Sequence, residues 1–364
     1  KPGLPVFGST TKIRVAHPEQ PAPLSRREAK KYQGFDAFLK MREKLQTVNH
    51  AGNWHGGPLR AAFYVDWDPQ SYYSLQQHVG SLDMVLPEWF FIDPATDSLL
   101  TRIDTTALHL LQDNHVQVVP MLSNVNTVTT DGAFDGKLLH DILVSPAKRE
   151  RLISAVVRTL QQNHLQGVNV DFEDPVEKTD EPLVAFQQEI YNRLHPLGLL
   201  VTQDIIPANE DFNIEQLADH NDYIFLMAYD EHYATSVPGP VSSQRWIEKI
   251  LDESAAKIPS SKIVLCIAGY GYDWPEGDKA ETLSYDEAIA LAKQYNAPVD
   301  FDNNSYNNHF TYTDADSTRH DVYFTDAATN FNTLRFADEY GTGGTALWRL
   351  GSEDPRTWQF YHDK

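Results

Sequence analysis

The sequence contains little that would suggest a disulfide-rich, metal-dependent or membrane-spanning protein. Its 364 residues include one cysteine, Cys266, which excludes an intramolecular disulfide and a cysteine-based metal site. The 14 histidines are scattered, with no His-Glu-x-x-His segment and no close His-x-His pair, so no metal site is expected. There is no run of about 18 apolar residues, and we predict no membrane segment in this chain.

Basic residues are also few in comparison with acidic ones. The chain has 30 Lys and Arg against 51 Asp and Glu, which gives a formal net charge of −21. Such a chain repels phosphate backbones, so nucleic acid is not an expected partner, whereas a neutral or cationic polymer fits. The same charge also keeps a protein soluble, and charge alone does not separate the two explanations. No phosphate-binding glycine loop occurs, and no cofactor is expected.

Eight short apolar runs of strand length alternate with longer amphipathic or polar segments. Near-continuous apolar strands separated by crossovers are typical of a parallel sheet covered by helices, and eight of them favour a closed (β/α)₈ barrel. The predicted strands are 61–65, 84–91, 116–122, 168–172, 199–206, 223–227, 263–268 and 345–348. The predicted helices between them lie near 104–114, 146–163, 182–196, 214–221 and 242–256.

The gap between predicted strands seven and eight is too long for one helix, and its polar, β-prone composition predicts a small α/β insertion. The fold class is therefore α/β, a (β/α)₈ TIM barrel with that insertion. We divide the chain into an N-terminal arm and helix (1–58), the first part of the barrel (59–274), the insertion (275–326) and the last helix and strand (327–364). The chain starts at Lys1, and we expect a mature form or a piece of a longer protein.

The segment 165–175, with sequence LQGVNVDFEDP, carries the chemistry. Because side chains alternate along a strand, Asn169, Asp171 and Glu173 project to one face, which in a barrel is the interior. The apolar residues between them project to the other face, where helices would cover them. Polar side chains inside a barrel are costly unless they are hydrogen-bonded or functional. Crowded carboxylates also push pKa values apart, so that one acid stays protonated near neutral pH.

These residues resemble a known signature. Gly167-x-Asn169-x-Asp171-Phe172-Glu173 is similar to strand four of the family 18 glycoside hydrolases, the chitinase-like enzymes, whose general pattern is Asp-Gly-x-Asp-x-Asp-x-Glu. Here Gln166 stands at the first Asp and Asn169 at the second. The Asn variant resembles the branch with spore-germination and cortex-lytic N-acetylglucosaminidases and glycosidase domains fused to polysaccharide deacetylases.

Three further segments resemble the same family. They are LMAYDEH at 226–232, GYGYDW at 269–274 and ALWRLGSED at 346–354, which resemble the family's segments at strand six, after strand seven and at the end of strand eight. The resemblance extends from about residue 60 to the C-terminus. The matches at strands four and eight are specific, whereas the Met-x-Tyr-Asp match would be weak alone.

The resemblance implies substrate-assisted cleavage, in which the N-acetyl group of the substrate attacks the anomeric carbon. Glu173 would protonate the leaving oxygen and later activate water. Asp171 would orient the acetamido group and stabilise its developing charge, and Tyr229 would donate a hydrogen bond to the acetamido oxygen. Trp348, at the end of strand eight, would form the floor of the site. Further candidates for substrate binding are Asn169, Asp230, Met227, Trp89, Gln203 and Tyr272.

The sequence therefore predicts a retaining glycoside hydrolase acting on an oligo- or polysaccharide that contains β-linked N-acetylglucosamine. The alternative is a catalytically inactive, chitinase-like sugar-binding protein (a lectin), which the substitutions at Gln166 and Asn169 keep open although Glu173 is present. A third interpretation is a barrel enzyme with unrelated chemistry, which the agreement at four strands disfavours. We expect an extracytoplasmic location, as part of a larger multidomain envelope enzyme.

Overall fold

The computed structural model describes residues 58–128, 132–175 and 180–360. The N-terminal arm and helix, predicted within 1–58, fall outside these residues except for Pro58. Within the described part, no helix has the length and apolar character needed to cross a membrane.

The barrel strands form a closed ring in which two strands are each interrupted briefly. The second barrel strand consists of β2 (Met84–Pro87) and β3 (Phe90–Asp93), and the third of β5 (Gln117–Val118) and β6 (Met121–Ser123). Because β2 pairs with β5 and β3 with β6, both in parallel, the sheet closes on itself. The other barrel strands are β1 (Leu59–Tyr64), β7 (Gly167–Asp171), β8 (Leu200–Ile205), β9 (Tyr223–Met227), β10 (Ile263–Ala268) and β16 (Gly344–Trp348). A short strand, β4 (Ser98–Thr101), pairs antiparallel with β3.

Helices connect the strands and cover the outside of the sheet. They are α1 (Pro69–His78), α2 (Thr105–Asp113), α3 (Gly136–Leu143), α4 (Pro146–Gln162), α5 (Asp180–Leu194), α6 (Ile214–Ala218), α7 (Gln244–Ala255), α8 (Tyr285–Gln294) and α9 (Ala327–Tyr340). Their start points are set locally. Asp68, Asp104 and Ser145 each accept a hydrogen bond from a backbone N–H in the first turn, and Pro follows the cap in α1 and α4.

Two apolar layers separate the inside of the barrel from its outside. The interior is filled by side chains that include Leu59, Phe63, Phe225, Val264 and Cys266. A larger layer packs the outward side chains of the strands against the helices. Both layers are what a closed barrel requires, since its interior is a packed core and its outer face is covered.

The insertion contains a second, antiparallel sheet of five strands in the order β12-β11-β15-β14-β13. The strands are β11 (Tyr270–Pro275), β12 (Glu281–Ser284), β13 (Asp300–Phe301), β14 (Asn308–Thr313) and β15 (Arg319–Phe324). Helix α8 packs on this sheet through an apolar cluster that includes Ile289, Phe310 and Phe324. The sheet begins at Tyr270, so the boundary placed between 274 and 275 falls inside its first strand.

The barrel and its insertion between strands seven and eight are thus confirmed. The runs predicted as single strands at 84–91 and 116–122 are each two strands. Among the helices and strands of the described residues, α1, α3, β4, β11 and β12 were not predicted. Helix α1 has few apolar residues (its sequence is PQSYYSLQQH), which explains why hydrophobic spacing did not reveal it.

Candidate active site

Strand β7 presents its polar residues to the barrel interior, as the alternation predicted. Val168, Val170 and Phe172 belong to the outer apolar layer with residues of α4 and α5, whereas Asn169 and Asp171 are buried on the other face. Gly167 allows β7 to approach β8, because a Cβ at this position would lie 2.4 Å from the carbonyl oxygen of Leu200. The glycine of the motif is therefore required by the packing of two strands.

A hydrogen-bond network joins β7 to β8 beneath the site. The Asn169 side chain donates from Nδ2 to Asp204 Oδ2 over 2.5 Å and accepts at Oδ1 from the Thr202 hydroxyl over 2.6 Å. Asp204 is 2% exposed, and its Oδ1 has no hydrogen-bond partner among the described residues. Burial, together with the charge of Asp171, raises the pKa of Asp204 well above the usual value, although the bond from Asn169 acts against this.

Asp171 and Glu173 form a hydrogen-bonded carboxyl pair above that network. Burial raises the pKa of both groups, and the charge of Glu88 raises that of Asp171 further. The hydrogen bond between the two carboxyl groups lowers the pKa of Asp171 and raises the pKa of Glu173. A hydrogen bond with Ser123 also lowers the pKa of Asp171. The two environments therefore differ in the sense that leaves the proton on Glu173, which is the arrangement a general acid needs.

Asn124 holds the backbone of Glu173 and was not found from the sequence. Its side chain accepts at Oδ1 from the Glu173 N–H and donates from Nδ2 to the Glu173 carbonyl, both over 2.9 Å. Asn124 is fully buried just after β6, the strand beside β7. No local pattern marks this residue, since its partner lies 49 positions away in the chain.

Tyr229 and Trp348 bring an aromatic surface to the same end of the barrel. Their rings are stacked, with centroids 6.4 Å apart, and Trp348 also packs edge-on against Phe63 at 5.2 Å. Burial raises the pKa of Tyr229 well above its usual value, and the charges of Asp204 and Glu173 add to this. The Tyr229 hydroxyl therefore remains a neutral donor near the carboxyl pair.

An open pocket of about 580 Å³ lies over Trp348, between the barrel rim and the insertion. Its walls include Asp230, Tyr270 and Tyr272. Both tyrosine hydroxyls donate to Asp230 Oδ1, with a distance of 2.9 Å from Tyr272. Asp230 therefore ties the loop after β9 to β11, and at the same time it faces the pocket.

Two predicted site residues lie elsewhere. Trp89 is fully buried in the outer layer, where its ring meets Tyr64, so it is not a surface for stacking sugars. Gln203 accepts a hydrogen bond from Asn221 Nδ2 over 3.2 Å on the outer side of β8, because its neighbour Asp204 faces inward. Met227 is on the interior side of β9, in register with Cys266.

The side chains of this site are suited to acid–base chemistry. Within 58–128, 132–175 and 180–360, no group of three or more His, Cys, Asp or Glu side chains is placed to hold a metal ion. What these residues provide is a protonated carboxyl beside an ionisable one, next to an aromatic floor. Such a site can donate a proton and stabilise a developing positive charge.

Comparisons with known proteins agree with this site. The chain is 27% identical over 273 residues to a sporulation-specific glycosylase of Bacillus subtilis (strain 168), which covers 72% of this chain and 64% of that protein. It is 26% identical over 285 residues to the cortical fragment-lytic enzyme of Bacillus anthracis, covering 74% and 66%. The chain thus spans about two thirds of the length of these relatives.

A solved structure gives the same architecture. The chitinase from Chromobacterium violaceum ATCC 12472 superposes with a TM-score of 0.78 at 25% identity, covering 83% of this chain and 97% of that one. The family model "Glycosyl hydrolases family 18" matches residues 123–354, which is more than half of the chain and includes β7, β9, β10 and β16. The chain therefore belongs to the glycosyl hydrolases family 18.

Proposed function

We propose that the protein is a retaining glycoside hydrolase that cleaves β-linked N-acetylglucosamine-containing glycans by substrate-assisted catalysis, with Glu173 as acid and base. The observation that carries this proposal is the hydrogen-bonded pair of the buried Asp171 and the half-buried Glu173, whose environments differ in the sense that keeps Glu173 protonated. One group then serves as the proton donor and the other as the negative charge.

In the first step, the Glu173 carboxyl donates its proton to the glycosidic oxygen as the bond from that oxygen to the anomeric carbon breaks. The carbonyl oxygen of the substrate's own acetamido group attacks the same carbon and forms a cyclic oxazolinium ion. Asp171 orients the acetamido N–H and stabilises the positive charge, and the Tyr229 hydroxyl donates to the acetamido oxygen. No carboxylate of the protein acts as the nucleophile.

In the second step, the Glu173 carboxylate takes a proton from a water molecule that attacks the anomeric carbon from the side of the departed group. The oxazolinium ring opens and the acetamido group is restored. Two inversions at one carbon give net retention. Asn169 and Asp204 support this scheme by joining β7 to β8, and Asn124 supports it by holding the backbone of Glu173.

The relatives suggest two glycans, since one is named a cortical fragment-lytic enzyme and another a chitinase. The mechanism requires an N-acetyl group on the sugar whose anomeric carbon is attacked, and both glycans supply it. We propose N-acetylglucosamine oligomers and peptidoglycan cortex fragments as the substrates to test. An extracytoplasmic location fits both, and fractionation of cells that produce the protein tests it.

The decisive experiment is hydrolysis of defined N-acetylglucosamine oligomers by the wild type and by Glu173→Gln, with products measured by mass spectrometry. Gln preserves the shape of the side chain and removes its acidity, so turnover should fall about 100- to 10,000-fold with an unchanged fold. Retained hydrolysis by the variant would contradict the assignment of Glu173. Oligomers deacetylated on the sugar at the cleaved bond should not be cut, and equal rates would contradict the substrate-assisted step.

A further inference from the structure

Trp67 is an exposed tryptophan at the mouth of the site. It follows β1, at the carboxyl end of the barrel, and 61% of its side chain is exposed. A large aromatic surface in water is unfavourable, and such residues on a monomer are often contact points for a ligand or partner.

The exposed ring is held in place by two neighbouring groups. The guanidinium carbon of Arg349 lies 4.4 Å from the ring centroid of Trp67, and Arg349 Nη1 donates to Asp68 Oδ2 over 2.7 Å. The indole Nε1 of Trp67 donates to Glu88 Oε2 over 2.8 Å. Because a planar guanidinium stacks on aromatic faces, Arg349 fixes the orientation of the ring as well as its position.

Trp67 is also continuous with the aromatic floor. Trp67 and Trp348 line the same pocket of about 580 Å³. Arg349, which stacks on Trp67, is the residue that directly follows Trp348 in the chain. The Glu88 carboxylate that accepts from Trp67 is near enough to Asp171 to raise the pKa of that group. The ring therefore lines the same pocket as Trp348 and Asp230, and its hydrogen-bond partner Glu88 is close to Asp171.

We propose that Trp67 is a second stacking platform, which binds a pyranose unit of the same glycan next to the unit held over Trp348. The flat ring offers its face to the apolar C–H face of a sugar, as Trp348 does at the bottom of the pocket. Its hydrogen bond and its guanidinium neighbour make the platform preformed, so little conformational entropy is lost on binding. The identity of the glycan rests on the proposed function.

The charges around the platform favour a neutral or amino sugar. Arg349 is the basic residue among those that line the pocket, and its guanidinium is already paired with Asp68. Apart from Asp68, the other carboxylic acids that line the pocket are Asp230 and Glu287. A sugar that carries a carboxylate would meet no free positive charge here, so N-acetylglucosamine or glucosamine units fit best.

The platform predicts that affinity rises with the length of the oligomer. A short oligomer that binds only over Trp348 should not contact Trp67, whereas a longer one should contact both tryptophan rings. In the Glu173→Gln background, which allows binding without turnover, adding Trp67→Ala should weaken the longest oligomers of a two-to-six-unit series. We expect about a tenfold loss, equivalent to about 1.4 kcal/mol, with little change for the shortest. Titration calorimetry measures this.

Tyr73 provides a matched control. It is also 61% exposed, but it lies on α1 and is not among the residues that line the pocket. Tyr73→Ala should leave every affinity unchanged, and Trp67→Phe, which keeps an aromatic ring, should recover part of the lost affinity. If Trp67→Ala behaves like Tyr73→Ala at every length, or weakens all lengths equally, the platform is refuted and the proposed function stands. Unchanged turnover in Glu173→Gln alone would instead contradict the proposed function.

Discussion

The two halves of the barrel interior are built from opposite kinds of side chain. The amino-terminal half is apolar, with residues such as Leu59, Met84 and Val264 in one apolar cluster. The carboxyl-terminal half contains the carboxyl groups of Asp171, Glu173 and Asp204; Asp171 is hydrogen-bonded to Glu173, and Asp204 accepts a hydrogen bond from Asn169. The two kinds of side chain meet directly, since Asp204 is in register with Phe225 on the next strand.

This difference separates stability from chemistry. Apolar burial in the lower half contributes to the free energy of folding, at roughly 25 cal/mol per Å² of apolar surface. Burying carboxyls in the upper half costs free energy, which appears as raised pKa values for Asp171, Glu173 and Asp204. The same raised values keep a proton available near neutral pH. Substitutions in the two halves should therefore have separable effects.

The largest expected effect is on turnover, from Asp171→Asn in the upper half. The amide keeps the size of the side chain and removes the negative charge proposed to stabilise the oxazolinium ion. We expect kcat to fall about 100- to 1000-fold, with no loss of thermal stability. Because the charge of Asp171 contributes to the raised pKa of Glu173, removing it should also move the alkaline limb of the pH–rate profile to lower pH. Steady-state kinetics across pH test both points, and a shift to higher pH would contradict the electrostatic coupling.

The next effect is on stability, from Leu59→Ala in the lower half. Leu59 is 2% exposed and begins β1, beside Gly344 of β16. The truncation removes apolar contacts and leaves a cavity, so the free energy of unfolding should decrease by about 2 to 5 kcal/mol. Denaturant unfolding measures the loss, and kcat per folded molecule should stay close to the wild-type value. A large loss of kcat without a loss of stability would show that the two halves are not separable.

The smallest effect is a pH-dependent change in stability from Asp204→Asn. Burial raises the pKa of Asp204 in the folded state above its unfolded value, so the folded protein binds the extra proton. This group therefore supports the folded state below its unfolded pKa, and that contribution is lost as pH rises through the folded pKa. Asn removes this dependence, so the melting temperature of the variant relative to wild type should increase between about pH 5 and about pH 8. A relative change of about 1 kcal/mol in the free energy of unfolding would appear as a shift of about 2–4 °C in melting temperature, the scale for domains of 150–250 residues.

Asp222→Asn is the control at the amino-terminal end of the barrel. Asp222 is also a carboxyl whose pKa is raised by burial, and it accepts from the Val201 N–H over 2.8 Å. Its replacement should affect the pH dependence of stability without moving the pH–rate profile, whereas Asp204→Asn should move the profile to lower pH by removing a nearby charge. A pH–rate profile that is unchanged in Asp204→Asn would show that Asp204 has only a structural role.

The alternation of side chains was the most reliable guide in the sequence, and it also explains two errors. It placed Asn169 and Asp171 inside the barrel, as the structure has them. The same rule excludes Gln203 once its neighbour Asp204 faces inward. It excludes Trp89 as well. Met84 and Leu86 face the interior, so alternation gives the next interior position to Glu88 and turns Trp89 outward. The errors came from selecting residues by type at a strand end without applying the period of two.

The sequence by itself determined the barrel, the insertion and the residues of β7, because strand alternation, strand length and the motif are local properties that a few neighbouring residues encode. The tertiary structure alone decided which distant residues complete the site. Asn124 reaches Glu173 from the strand beside it, Asp204 meets Asn169 across a strand pair, and Arg349 stacks on Trp67 although they are far apart in the chain. Such contacts depend on how the ring of strands closes, and no local pattern carries that information.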